Sequence, residues 1–158
     1  MRPVPSKRLS KQALPLWRWQ ALFESLFYAL APIGYGVCIY FFSWPQWILY
    51  LLIAILAVYA ITIIFIVPAI RWRRWRYDVL EHEIDLQHGV FIVTRTLIPM
   101  TRVQHVDTEQ GPLLRRFKMA TVSISTAATV HKIPALTLEV ADSLRDRIAE
   151  LAAVAEDE

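Results

Sequence analysis

His105 and Asp107 stand two apart in a run that alternates like a strand, and Ser123 and Ser125 stand two apart in another. Imidazole, carboxylate and hydroxyl are the parts of a nucleophilic triad. That chemistry also needs a group orienting the imidazole and a set of oxyanion donors. The chain has no Gly-x-Ser-x-Gly turn, so these residues read as non-catalytic. His105 and Asp107 are expected instead to hydrogen-bond the Gln110-Gly111 turn. His82, His88, His105 and His131 lack HxxxH, HxH or HExxH spacing, and Cys38 is the single cysteine. No metal, cofactor or disulfide is therefore expected. Asp78, Glu81, Glu83 and Asp85 read as a solvated acidic hairpin rather than an acid–base pair. Two basic clusters could satisfy phosphate oxygens: Arg71, Arg73, Arg74 and Arg76, and Arg115-Arg116-Phe117-Lys118. The second also reads as a solubilising loop.

These groups must be held by something, and the chain's first half is built for a membrane. From Ala21 to Phe42 only Glu24 is charged, and from Gln46 to Ile70 nothing is. At a rise of ~1.5 Å per residue, either run covers the ~30 Å hydrocarbon of a bilayer. Ser43-Trp44-Pro45 leaves room only for a tight turn, so residues 21–70 read as a transmembrane hairpin (about 21–42 and 46–70). Ala29-Leu30-Ala31 looks like a signal-peptide cleavage site, but Pro32 disfavours cutting there and the apolar run continues. Glu24, just inside the first span, either is functional or snorkels toward Arg18, the reading preferred here. Pro32, Gly34 and Gly36 should bend that span or admit the second closely.

Charge fixes the orientation. Residues 1–76 carry nine Lys or Arg (Arg2, Lys7, Arg8, Lys11, Arg18, Arg71, Arg73, Arg74, Arg76) against Glu24, and the hairpin tip carries no charge. The positive-inside rule then places both ends in the cytoplasm. Residues 1–20 form a basic N-terminal segment and 71–76 an Arg-rich juxtamembrane collar. All six tryptophans (17, 19, 44, 47, 72, 75) fall at span ends, where indoles prefer the headgroup layer. The collar reads as a topology determinant, with selective capture of an anionic lipid as the sharper alternative. Residues 77–158 hold eight bases and thirteen acids. The basic balance therefore belongs to the membrane flank and implies no nucleic acid. Charge does not draw the acidic half to a membrane, so any contact it makes there needs a specific cause.

Residues 77–158 are enough for one small domain. Tyr77–Leu80 and Glu83–Leu86 flank a polar corner; Ile84 and Leu86 face one way, Glu83, Asp85 and Gln87 the other. Val90–Ile98 reads as a longer strand ended by Pro99. In Arg102–Thr108, Val103, His105 and Asp107 should share a face. After a Gln110-Gly111-Pro112 turn, Leu113–Phe117 reads as a helical turn, Thr121–Ser125 as a strand with Val122 and Ile124 inward. Val130–Ile133 is a last strand stopped by Pro134. Val140, Ala141, Leu144, Ile148, Leu151 and Ala152 then mark an amphipathic helix with Thr137 as N-cap, an Asp142–Arg145 surface pair, and a tail fraying after Leu151.

The run Ile98-Pro99-x-x-Arg102-Val103-Gln104-His105-Val106-Asp107-x-x-Gln110-Gly111-Pro112-Leu113-x-Arg115-x-Phe117 resembles the signature of YdbS-like bacterial membrane proteins with a bacterial pleckstrin-homology (PH) domain. Ala120-Thr121-Val122-x-Ile124-x-Thr126-Ala127, Ile133-Pro134 and Ala141-x-x-Leu144-Arg145-x-x-Ile148 resemble it too, and so does the order of two spans, collar and domain. Lys118, Ala128 and Ala135 stand where that family usually has glycine. The resemblance implies an α+β membrane protein: a two-helix transmembrane hairpin, then a small antiparallel PH-like β-barrel capped by a C-terminal helix. It implies partners at the inner membrane, among them a larger relative with several such domains, and a link to envelope stress or antimicrobial-peptide resistance. No enzymatic activity comes with it. The inositide-binding mode of eukaryotic PH domains does not fit, because Glu81 and Glu83 at the first strand turn would repel phosphate.

The function read from the sequence is assembly with other membrane proteins, or self-association, without catalysis. Gln104, His105, Asp107, Gln110, Leu113, Leu114 and Phe117 are the candidate partner-binding residues. Arg71, Arg73, Arg74, Arg76, Arg115 and Arg116 are the candidate lipid-facing ones. The alternatives are an anionic-lipid sensor or an accessory subunit of a membrane transporter. Topology is directly testable: in a Cys38→Ala background, Asp142→Cys should resist an impermeant thiol reagent in intact cells and react once they are opened. Labelling in intact cells would place the domain outside.

Overall fold

The computed structural model describes residues 4–157; Arg2 lies outside them. Two compact units emerge, one of residues 17–69, the other of residues 1–16 with 70–158.

The first unit is the helical hairpin. α1 (Ala13–Tyr28) and α2 (Leu30–Phe42) run into each other through Ala29, and α3 (Gln46–Ile61) continues through a π turn (Thr62–Ile66) into α4 (Val67–Arg74). The irregularities precede prolines. Pro32 and Pro68 lack an N–H and crowd the carbonyl four residues back, so each helix loosens just upstream. At the tip Ser43 adopts φ 52° and donates its N–H to the Ile39 carbonyl, 3.0 Å away. The Tyr35 hydroxyl reaches the Pro45 carbonyl. Glu24 accepts a 2.8 Å hydrogen bond from the Tyr59 hydroxyl, while Arg18 lies over the Phe65 ring. The expected Glu24–Arg18 pairing is therefore replaced by one hydrogen bond and one cation–π contact. Gly34 and Gly36 have nothing within 4 Å of an added Cβ, so the close approach expected there is not made among the described residues.

The second unit is two antiparallel sheets and a helix. β1 (Lys7–Arg8), β2 (Arg76–Val79), β3 (Glu83–His88) and β4 (Thr94–Pro99) form one sheet in that order. β5 (Val103–Glu109), β6 (Met119–Thr126) and β7 (Val130–Thr137) form the other, with α5 (Pro112–Arg116) between β5 and β6. Among the described residues no pairing joins β4 to β5. The C-terminal α6 (Leu138–Asp157) packs on β5, β6 and β7. It buries Ala141, Leu144 and Ile148, spaced three and four apart. Arg145 pairs with Asp142 as the spacing implies, and with Asp146.

β1 has no counterpart in the sequence reading. Lys7 pairs with Tyr77 and Arg8 with Arg76, and Asp78 accepts bonds from the Ser6 N–H and hydroxyl. The Trp72 indole N–H bridges the carbonyls of Leu9 and Ser10. The segments that precede and follow the hairpin are thus zipped into one sheet.

Several expectations need correction. The run from Val90 starts as a loop, and its strand begins at Thr94, because Gly89 takes φ 133° and turns the chain first. β7 passes through Pro134 to Thr137: a bulge opposite Thr121 leaves Pro134 outside the regular ladder, where its missing N–H costs nothing. Val103 is buried while His105 is exposed, since a second bulge at Gln104 shifts the face between them. Asp85 belongs to the core rather than a solvated hairpin; it is 5% exposed and takes both the Arg95 Nε–H and a terminal N–H. Its carboxylate raises the Arg95 pKa further above its ordinary value. Val140 stays exposed, one position off the buried stripe. The C-terminal tail is helical to Asp157 rather than frayed after Leu151, as its alanines favour.

Lys118 and Ala135, two of the positions where glycine was expected, both adopt left-handed φ, 52° and 54°. Lys118 ends α5, and Ala135 occupies the bulge of β7. A Cβ there costs ~1–2 kcal/mol, against ~0.5–1 kcal/mol for the extra freedom glycine brings to the unfolded chain. Lys118→Gly and Ala135→Gly should each raise stability by about 0.5–1 kcal/mol, whereas Ala149→Gly inside α6 should lower it by about 1 kcal/mol. Thermal melts of the detergent-extracted protein check this. Equal losses in all three would deny the strain.

Candidate functional site

Two surfaces gather the residues with chemical potential. The first is the free side of β5. Its ladder partner is β6, with Val106 opposite Ile124, Asp107 opposite Ser123 and His105 opposite Ser125. No strand pairs with its other side among the described residues. Gln104, His105 and Asp107 are exposed along it, and Val106 is half-buried. The strand runs into α5, where Pro112 occupies the first turn and Leu113, Leu114 and Phe117 are half-buried beside exposed Arg115 and Arg116. A cleft of about 190 Å³ separates residues 103–106 from Ala149, Ala152 and Ala153 of α6. The chain thus brings the sequence-predicted partner residues together on one strand and the turn that follows it. Arg115 and Arg116 share that surface.

The Gln110-Gly111 turn is fixed differently from expectation. The Gln110 side-chain amide donates to the Met119 carbonyl at 2.8 Å, whereas His105 and Asp107 make no hydrogen bond to it among the described residues. Among the described residues no hydrogen bond joins His105, Asp107, Ser123 and Ser125 either, and Ser123 is 2% exposed.

The second surface is a cleft of about 370 Å³ lined by Arg71, Trp75, His88, Glu109, Thr121, Lys132 and Pro134. The Trp75 indole is buried and stacks on His88, centroids 5.8 Å apart. Lys132 donates to Glu109 at 2.7 Å, and that ammonium pulls the Glu109 carboxyl below its ordinary range. Sequence reasoning missed this cleft because its residues come from five elements scattered over 64 positions. It also misread Trp75. Trp75 is buried in the protein, stacked on His88, while the half-buried Trp72 bonds the Leu9 and Ser10 carbonyls through its indole N–H. Trp17 is buried as well, while Trp19, Trp44 and Trp47 are exposed.

The collar arginines diverge. Arg71 lines the cleft, Arg73 is exposed, Arg74 bonds the loop after β3, and Arg76 sits on β2 between Arg8 and Gln87.

Residues 25–152 match the bacterial PH domain family, from within the first span to the last turns of α6. The chain belongs to that family. It is 51% identical to the UPF0699 transmembrane protein YdbS of Bacillus subtilis (strain 168), over all of this chain and 99% of that protein. No solved structure matches it. With helices at Ala13–Phe42 and Gln46–Arg74 long and apolar enough to cross a bilayer, the chain is a transmembrane protein carrying a bacterial PH domain. The family is not a known enzyme class.

Proposed function

We propose that this chain is a non-catalytic protein of the bacterial inner membrane that presents its PH-like domain in the cytoplasm for assembly with other membrane proteins. The observation that carries the reading is the free edge of β5. A strand with one side unpaired offers a row of N–H and C=O groups that a partner strand satisfies, fixing affinity and register together. The cleft beside it, floored by three alanines, suits an apolar side chain of the incoming segment. Leu113, Leu114 and Phe117 supply apolar area at the end of the edge, and Arg115 and Arg116 suit an acidic rim on the partner. The cytoplasmic side follows from nine Lys and Arg on one flank of the hairpin and none at its tip. The partner the family resemblance suggests is a larger membrane protein with several related domains, with a second copy of the chain as the simpler case. Envelope stress or antimicrobial-peptide resistance is the process it suggests.

A second reading has its own observation. The Arg71–Lys132 cleft sets Arg71, an imidazole and an indole beside the Lys132–Glu109 pair, and an anionic headgroup would bind there by Arg71 and by drawing Lys132 from Glu109. An accessory role in a membrane transporter would use the same docking edge.

The two readings separate experimentally. A photocrosslinking residue at His105 should capture another membrane protein chain, whereas one at Asp146 should not. Leu114→Asp with Phe117→Asp should remove that product while leaving binding of the detergent-extracted protein to anionic liposomes unchanged. Replacing Arg71 and Lys132 by Gln should do the reverse if lipid reading dominates, and that binding would fall steeply with salt. Loss of the crosslink in the Arg71/Lys132 variant, with retention in the Asp variant, would overturn docking through β5.

A further inference from the structure

The loop between β3 and β4 presents its apolar side chains outward. Phe91 is 88% exposed and Ile92 81%, while no other large apolar side chain described in the sheet-bearing unit exceeds 55%. Exposure here is built into the backbone. Gly89 holds φ 133°, and a Cβ on it would lie 1.8 Å from the Ile92 carbonyl oxygen, so the loop closes tightly on itself. From outside, the Arg74 guanidinium donates to the Val90 carbonyl at 2.6 Å. Glycine geometry and an arginine clamp therefore fix the loop's backbone while Phe91 and Ile92 stand free.

The clamp also fixes the loop's level. Arg74 is the last residue of the helix that carries the second apolar run, four positions beyond Ile70. Four residues of helix advance ~6 Å. The headgroup layer on each side of a ~30 Å hydrocarbon core within a ~40–45 Å bilayer is about that thick. Val90 is thus tied to a residue at the headgroup layer, and the next two side chains are the most exposed apolar groups of the unit. Residues 77–158 hold eight bases and thirteen acids, so beyond the basic flanks the apolar tip is what can hold this part of the domain at such a surface.

We infer that Phe91 and Ile92 form a membrane-inserting tip that seats in the interfacial layer of the same bilayer the hairpin spans. Apolar side chains of surface-lying segments, Phe and aliphatic ones among them, bury at the headgroup–acyl boundary, and seating them removes their apolar area from water. The tip, with the clamp of Arg74, orients the PH-like domain on the membrane and leaves the β5 edge for a protein.

Electron paramagnetic resonance of the full chain in phosphatidylglycerol–phosphatidylethanolamine liposomes tests this. Nitroxides are placed one at a time at Phe91→Cys, Ile92→Cys and, as a solvent reference, Asp146→Cys, each with Cys38→Ala. The ratio of oxygen to water-soluble nickel-chelate accessibility should be severalfold higher at 91 and 92 than at 146. Nickel-chelate accessibility at 91 and 92 equal to that at 146 would put the tip in water. Low accessibility to both reagents would mean that protein covers it. Either result overturns the proposal. Both labelled side chains are largely exposed, so the substitutions leave the fold intact, and unchanged circular dichroism verifies this.

Discussion

Backbone pairing between residues 7–8 and 76–77 is the constraint on which the rest of this structure hangs. It is short, and a two-residue strand joined to partners 70 and 68 positions away would ordinarily be defeated by loop-closure entropy. The hairpin removes that obstacle. Two helices joined by the three-residue link Ser43-Trp44-Pro45 shorten the effective loop between the two strands. Ser6 on Asp78 and Trp72 on the Leu9 and Ser10 carbonyls then lock a ladder that need supply little stability of its own. The outcome is a sheet-bearing domain that both chain segments flanking the hairpin enter, rather than one.

Fastening at two points gives the collar arginines work beyond topology. With the ends fixed, Arg74 is placed to clamp the loop after β3, Arg71 to line the cleft, and Arg76 to sit in the sheet. A point-charge attraction to anionic lipid would be satisfied by any basic cluster of similar density. Donation to one particular carbonyl would not.

Much of the architecture was legible because it rests on local pattern. The apolar runs, the turn at Ser43-Trp44-Pro45, the burial of Ile84 and Leu86 and the three–four spacing of Ala141, Leu144 and Ile148 all survive in the structure. What escaped depends on partners distant in sequence or on backbone detail. Lys7-Arg8 has no strand pattern and becomes a strand only through its partner. Asp85 is buried because Arg95 on the next strand neutralises it. Val90–Val93 reads as strand by composition, and Gly89 with Arg74 makes it a loop. The face switch between Val103 and His105 comes from a bulge at a position that carries no glycine to announce it. Of the candidate site, the β5 edge was visible as a continuous motif, and the Arg71–Lys132 cleft, assembled from five elements, was not.

Amide hydrogen exchange of the full chain in lipid nanodiscs tests the two-point attachment most directly. The account predicts that the amides of the Ser6–Leu9 segment exchange as slowly as those of Arg76–Val79, and that both speed up together when Ser6 and Trp72 are replaced by alanine and phenylalanine. Exchange of the Ser6–Leu9 segment at the rate of an unstructured chain, with Arg76–Val79 still protected, would contradict it.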